Sequence, residues 1–150
     1  MHPQERFDRL RRSCAAHGLR LTSQREALLR VLSRARHHPT ADELYAGVRR
    51  LRPSISPATV YRNVQQLSSA GVISTLVRPG VTKYDPNPET HHHFVCDACG
   101  EVTDIYLSQL SYRLARRSAA AGTRVRRCDV QLSGRCAGCR SSRRQSGGHK

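Results

Sequence analysis

The sequence predicts an α+β chain, an N-terminal winged helix-turn-helix domain followed by a small α/β domain. Three observations predict it. The first half carries apolar residues at helical spacing in four segments punctuated by capping residues. Two short runs of strand formers then flank the turn Arg78-Pro79-Gly80. From Asn87-Pro88 onward the character changes to short strands, one amphipathic segment and two Cys-x-x-Cys pairs, Cys96/Cys99 and Cys136/Cys139.

The elements follow in order. Residues 5–17 (ERFDRLRRSCAAH) read as a basic helix with Phe7, Leu10 and Cys14 at helical spacing, ended by Gly18. A second helix follows Thr22 or Ser23, either a suitable N-cap, and runs through QREALLRVLSRA with Leu28, Leu29 and Leu32 inward. His37-His38-Pro39 closes it. Thr40 caps a third helix, ADELYAGVRRL, with Glu43 completing a capping box, and Pro53 stops it. Ser56 caps a fourth, PATVYRNVQQLSSA, with Pro57 at its first position and Gly71 at its end. VISTLV and VTKYD form a hairpin, completing the winged-helix order. Beyond it come a strand near HHFV, a cysteine knuckle, a strand near EVTDIYL, a helix over 108–121 capped by Gly122, and a strand near RVRRCDVQL. The last stretch, RSSRRQSGGHK, is polar and Gly/Ser-rich and is expected to be disordered.

At 150 residues the chain makes one domain or two small ones. A net charge of +15 and a pI near 10.9 call for a polyanionic partner, although an arginine-rich genome would produce the same composition. The segment MHPQERFDRL is too charged for a signal peptide, and no apolar run is long enough to span a membrane. The expected compartment is therefore the reducing cytoplasm, where close cysteine pairs bind metal more often than they form disulfides.

Four thiolates from two knuckles complete a tetrahedron, so Cys96, Cys99, Cys136 and Cys139 are read as one closed, structural zinc site. Its 36-residue spacer must hold structure of its own. A second constellation lies beside it. His91 and His93 alternate along a strand and so face one side, with Asp85 ending the wing, Asp104 on the next strand, and His38 in the other domain. Three imidazoles and two carboxylates suit Fe²⁺ or Mn²⁺ better than a thiolate-seeking ion. A solvated histidine tract is the alternative. On the fourth helix, Tyr61, Arg62 and Asn63 come one turn in from the start, where a winged helix meets base edges, and Arg20, Arg25, Arg78 and Lys83 are placed to meet phosphate. Cys14 reads as a small buried hydrophobe, and Cys128, near the second knuckle, as a leftover thiol that could serve as an extra ligand with His92. A zinc enzyme is disfavoured: there is no H-E-x-x-H, and Val95 rather than Pro precedes Cys96.

The segments LTSQREALLRVL, HPTADELY, SPATVYRNVQQL, AGVI, KYDPN, HHHFVCDACGEVTDI and CAGC together make residues 7–139 resemble the ferric uptake regulator family. The resemblance implies a winged-helix DNA-binding domain (1–84), a hinge (85–90), an α/β dimerisation and metal-binding domain (91–140), and a tail (141–150). It implies a homodimeric, metal-dependent repressor of operator DNA. Structural zinc would lie on Cys96, Cys99, Cys136 and Cys139, and the regulatory ion on His38, Asp85, His91, His93 and Asp104. His37 adjoins His38, and the choice of His38 rests on its place before Pro39. The aspartates at 85 and 104 are similar to the peroxide-responsive branch, in which bound Fe²⁺ and H₂O₂ oxidise ligand histidines, here His38 and His91. The alternative is an iron-responsive repressor of iron uptake. A further metal site of many members reads here as Thr90, His92, Ser111 and Cys128, too degraded to assign a third ion. One ion joining both domains would set the spacing of two recognition helices on a palindrome.

Overall fold

The computed structural model describes residues 2–78, 80–87, 89, 91–109, 111, 124 and 130–141. The chain divides into two compact units, Met1–Glu89 and Thr90–Lys150.

The first unit holds four helices and a hairpin: α1 (Pro3–Ala16), α2 (Ser23–Arg34), α3 (Ala41–Leu51), α4 (Pro57–Ser69), β1 (Ser74–Arg78) and β2 (Val81–Asp85). Each helix start is chemically specified. Thr22, Thr40 and Ser56 accept from the third backbone N–H of their helices, and Glu43 returns the bond to Thr40 N–H at 2.7 Å. Phe7, Leu10, Leu28, Leu29, Leu32, Leu44, Val48, Val60, Val64 and Leu67 face inward at helical spacing and pack with Cys14, Val72 and Ile73 into one core. Cys14 is thus a small core residue, and burial, the largest influence on it, pushes its thiol above the ordinary value. Two ends differ from the sequence reading. α2 stops at Arg34, since Ala35 turns extended (φ −62°, ψ 129°), leaving His37 and His38 outside the helix. β1 starts at Ser74, since Val72 and Ile73 are buried in the helical core.

The hairpin pairs Ser74 with Asp85 through Arg78 with Val81, and Gly80 takes the positive φ (75°) that its turn demands. β2 also meets the segment before α3. Thr40 bridges Lys83 antiparallel, and Tyr84 N–H donates to the Pro39 carbonyl at 2.9 Å.

The second unit is a three-stranded sheet in the order β4 (Val102–Ile105), β3 (His92–Cys96), β5 (Gln131–Gly134), with a short α5 (Ala137–Ser141). β3 pairs antiparallel with β4 and parallel with β5. Residues 108, 109 and 111 of the expected 108–121 helix carry no helix. The rest of that segment, strand residues 125–129, Cys128, Thr90 and tail residues 142–150 lie outside the described residues. No helix among the described residues is long and apolar enough to cross a membrane.

Candidate metal centres and reading helix

The parallel pairing of β3 with β5 builds the cysteine cluster. Cys96 ends β3 opposite Gly134, and Cys136 lies two residues past Gly134. Asp97 N–H donates to the Gly134 carbonyl at 2.7 Å, tying the two knuckles together. The first knuckle closes through Gly100 N–H to the Cys96 carbonyl at 2.9 Å, with Gly100 at φ 71°, a conformation that a side chain disfavours. The four Sγ atoms all fall within 4.8 Å of one another, with Cys99 and Cys136 at 3.9 Å. Four sulfurs about 2.3 Å from one tetrahedral zinc stand about 3.8 Å apart. The donor set fits that ion.

The same crowding spreads the thiol acidities. Cys136 N–H points at Cys96 Sγ from 3.3 Å and, with Cys99 N–H, lowers the Cys96 thiol to about 6. Cys139 hydrogen-bonds first to Cys136, then to Cys99 and Cys96, and is pushed up to about 12. Cys99 is lowered by Glu101 N–H but raised by Cys96 and Cys136, and ends above its ordinary value. A divalent cation relieves this competition, because it replaces protons with one charge shared by every sulfur.

The histidines and acids assemble in two halves, one in each unit. In the first, the antiparallel register that sets Thr40 beside Lys83 brings His38 beside Asp85, with Nε2 3.8 Å from Oδ1 and both side chains buried. Asn87 N–H donates to Asp85 Oδ1 at 2.8 Å and fixes the carboxylate. His37 turns outward, 3.6 Å from Glu43. In the second unit, His91 and His93 share a side of the strand, their Nε2 atoms 3.0 Å apart, and His91 Nε2 lies 3.7 Å from Asp104 Oδ1. Asp104 is the register partner of His93, which places it on that side. Two donors about 2.1 Å from one ion lie about 3.0 Å apart at a right angle and about 4.2 Å apart when opposed. Each half falls in that range. His92 turns the other way, buried, its Nδ1 accepting from Val130 N–H at 3.2 Å.

The candidate DNA-contacting residues divide. Tyr61 and Arg62 are exposed on α4, and Arg20 is exposed before α2. Lys83 is half-buried on β2; Arg78 lies on β1, its side chain outside the described residues. Arg25 does not offer its guanidinium to solvent. It is 7% exposed and donates to the Arg20 carbonyl and to Gln66 Oε1, so it ties α2 to α4. Asn63 is also turned inward, donating to the Thr59 carbonyl at 2.8 Å. The exposed stripe instead adds Ala58 and Gln65. Helical spacing from Tyr61 (i+4) and Arg62 (i+3) is the signal that marks Gln65.

A family model described as the ferric uptake regulator family matches residues 16–133. A peroxide-responsive repressor PerR of Staphylococcus epidermidis is 36% identical over 94 residues, 62% of this chain and 63% of that protein. The chain therefore spans less than two thirds of the length of such curated relatives. Among solved structures, the ferric uptake regulator of Helicobacter pylori shares the fold at a TM-score of 0.70 and 24% identity, over 93% of this chain and 95% of that one. The Vibrio cholerae ferric uptake regulator gives a TM-score of 0.64 at 28% identity, over 83% of this chain and 98% of that one.

Proposed function

The chain belongs to the ferric uptake regulator family, and from that premise we propose that it is a metal-dependent transcriptional repressor that binds operator DNA as a homodimer in the cytoplasm and senses peroxide. It is a regulator and not an enzyme. The likeness to a peroxide-responsive repressor and the paired aspartates, Asp85 and Asp104, favour peroxide over iron as the signal. The observation that carries the reading is the set of imidazole and carboxylate donors. His38 sits beside Asp85, and His91 beside His93 and Asp104, at separations one hard or borderline ion would accept.

Cys96, Cys99, Cys136 and Cys139 would hold structural zinc, since four thiolates leave no open position. His38, Asp85, His91, His93 and Asp104 would hold Fe²⁺ or Mn²⁺. Fe²⁺ held there would activate H₂O₂ to oxidise a neighbouring imidazole, one peroxide oxygen going to the ring and the other leaving as water. The residues themselves do the coupling. His38 and Asp85 belong to the reading unit and His91, His93 and Asp104 to the other, so an ion that took donors from both sets would couple the two units. Metal and operator affinity then rise together, because linkage is reciprocal. Oxidation of His38 or His91 would remove a donor and so weaken the grip on the operator. Tyr61, Arg62 and Gln65 would face base edges, with Arg20, Arg78 and Lys83 against phosphate and Arg25 holding α4 in position.

The test uses a duplex selected from a randomised pool by the Mn²⁺-loaded protein. Binding is titrated with Fe²⁺ and Mn²⁺, with and without H₂O₂, and the histidine peptides are weighed. With Fe²⁺, peroxide should abolish binding and add oxygen to the His38 or His91 peptide; with Mn²⁺, binding should persist. His91→Ala should lose metal-dependent binding while keeping its zinc. Full binding by that variant would remove the sensing role. Equal survival of binding under peroxide with either metal would point to iron sensing.

A further inference from the structure

Tyr61 stands on the exposed stripe of α4 between Ala58 and Gln65, and its hydroxyl donates to Asp42 Oδ1 in the first turn of α3. Asp42 is not needed to cap its own helix. Thr40 and Glu43 make both bonds of that box, at 3.2 and 2.7 Å. Its carboxylate is committed to the neighbouring helix instead. That placement carries a cost on a surface meant for a polyanion, since a negative charge beside phosphates repels them. A residue that weakens general attraction yet binds an exposed side chain of the reading face has another use.

We propose that Asp42 is a positioning residue that fixes the Tyr61 ring and hydroxyl on the reading face, trading general DNA affinity for sequence discrimination. This rests on α4 being the helix that enters the major groove. Two consequences follow from the hydrogen bond. A ring already held in one rotamer loses less freedom on contact, so the benefit goes to sequences that match that pose. A hydroxyl already donating to a carboxylate can only accept from a base. In the major groove it would then select amino edges, adenine N6 or cytosine N4, over the keto edges of guanine and thymine.

The experiment is a double-mutant cycle on the Mn²⁺-loaded full chain, with the pool-selected duplex and a scrambled duplex of equal composition as probes. Asp42→Ala and Tyr61→Phe should each cut the ratio of selected to scrambled affinity about tenfold. The double variant should lose no more than either single, because the carboxylate acts through the hydroxyl. Asp42→Asn keeps an acceptor and drops the charge, so it should retain the ratio while binding both duplexes more tightly. Reselection with Asp42→Ala should relax one base position from amino-bearing to mixed.

A measurement without DNA stands beside these. The hydrogen bond to Asp42 is the largest cause holding the Tyr61 phenol above its ordinary value of 10.0, so its ¹³C-labelled resonance should titrate lower in Asp42→Ala. Loss of discrimination by Asp42→Ala that is equally large in the Tyr61→Phe background would overturn the proposal, as would an unmoved Tyr61 titration. If the wild-type protein prefers no duplex at all, the repressor reading fails, and discrimination by Asp42 falls with it. The Tyr61 titration then still decides whether the contact exists.

Discussion

Removing the metal from the cysteine cluster should unfold the second unit and leave the first intact. The magnitudes come from what each unit buries. Among the described residues of the second unit, Val95, Cys96 and Val102 are the buried hydrophobics. Two buried valines contribute about 3–6 kcal/mol. A four-thiolate zinc site supplies about 10–16 kcal/mol at neutral pH. Zinc bound there would thus contribute more to holding this sheet together than the apolar contacts of the described residues. The first unit has a core of fourteen residues drawn from four helices and the two residues before β1, and its sequence holds one cysteine, Cys14. The assay is hydrogen exchange read by mass on peptides spanning residues 92–105 and on peptides from α2 to α4, before and after chelation. Zinc loss is verified on the same sample, and Cys136→Ser serves as a genetic equivalent. The strand peptides should lose protection while the helical peptides keep theirs. Full strand protection in verified zinc-free protein would refute the reasoning, because the described apolar contacts would then suffice without the cluster.

Two further predictions concern the reading unit. Gly47 of α3 faces Val31 of α2, and a Cβ there would lie 2.7 Å from Val31 Cγ1. Val31 is β-branched and strongly prefers one χ1 rotamer in a helix, so it yields little. Overpacking of this kind costs about 1–3 kcal/mol, while replacing a helical glycine by alanine returns about 1 kcal/mol. Gly47→Ala should therefore lower stability by about 1 kcal/mol in urea unfolding, and adding Val31→Ala should recover most of it; a single variant more stable than wild type would contradict the packing. Glu43 is the second case. Thr40 N–H, its largest influence, holds the carboxyl below its ordinary value of 4.5. A depressed folded-state value means stability present above the unfolded value and lost as pH falls through the folded one. Glu43→Gln keeps the bond but not the charge, so its unfolding free energy should lie slightly below wild type at neutral pH, by under about 1 kcal/mol at this exposed position. The gap should close as pH drops below 4.5. A gap that widens on acidification would reverse the sign.

Much of the fold was legible because its signals are local. Thr22, Thr40 and Ser56 satisfy backbone donors within three residues of themselves, and Pro57 needs only its own fixed φ to start α4. His91 and His93 share a side because strand geometry alternates. Cys14 belongs to the core through nothing more than its spacing from Phe7 and Leu10. The candidate reading face was less legible. Arg25 and Asn63 carry the chemistry expected of DNA contacts, yet Arg25 finds an acceptor in Gln66, 41 residues away, and Asn63 turns back on its own helix. Residue type cannot distinguish a guanidinium that meets phosphate from one that clamps two helices.

The sequence alone was enough for the order of the first four helices, the N-caps of α2, α3 and α4, the wing, the change of character after Asn87, and the inventory of sulfur, imidazole and carboxylate donors. These depend on residues within a few positions of one another, where capping, turn chemistry and periodicity act. Tertiary structure decided how the donors meet. Parallel pairing of β3 with β5 sets Cys96 beside a knuckle 40 residues downstream, and the Thr40–Lys83 bridge sets His38 beside Asp85. It also decided that Asp42 reaches Tyr61 across two helices. Such distances are fixed by strand register and helix packing, which are settled by the whole set of buried side chains and not by any one segment.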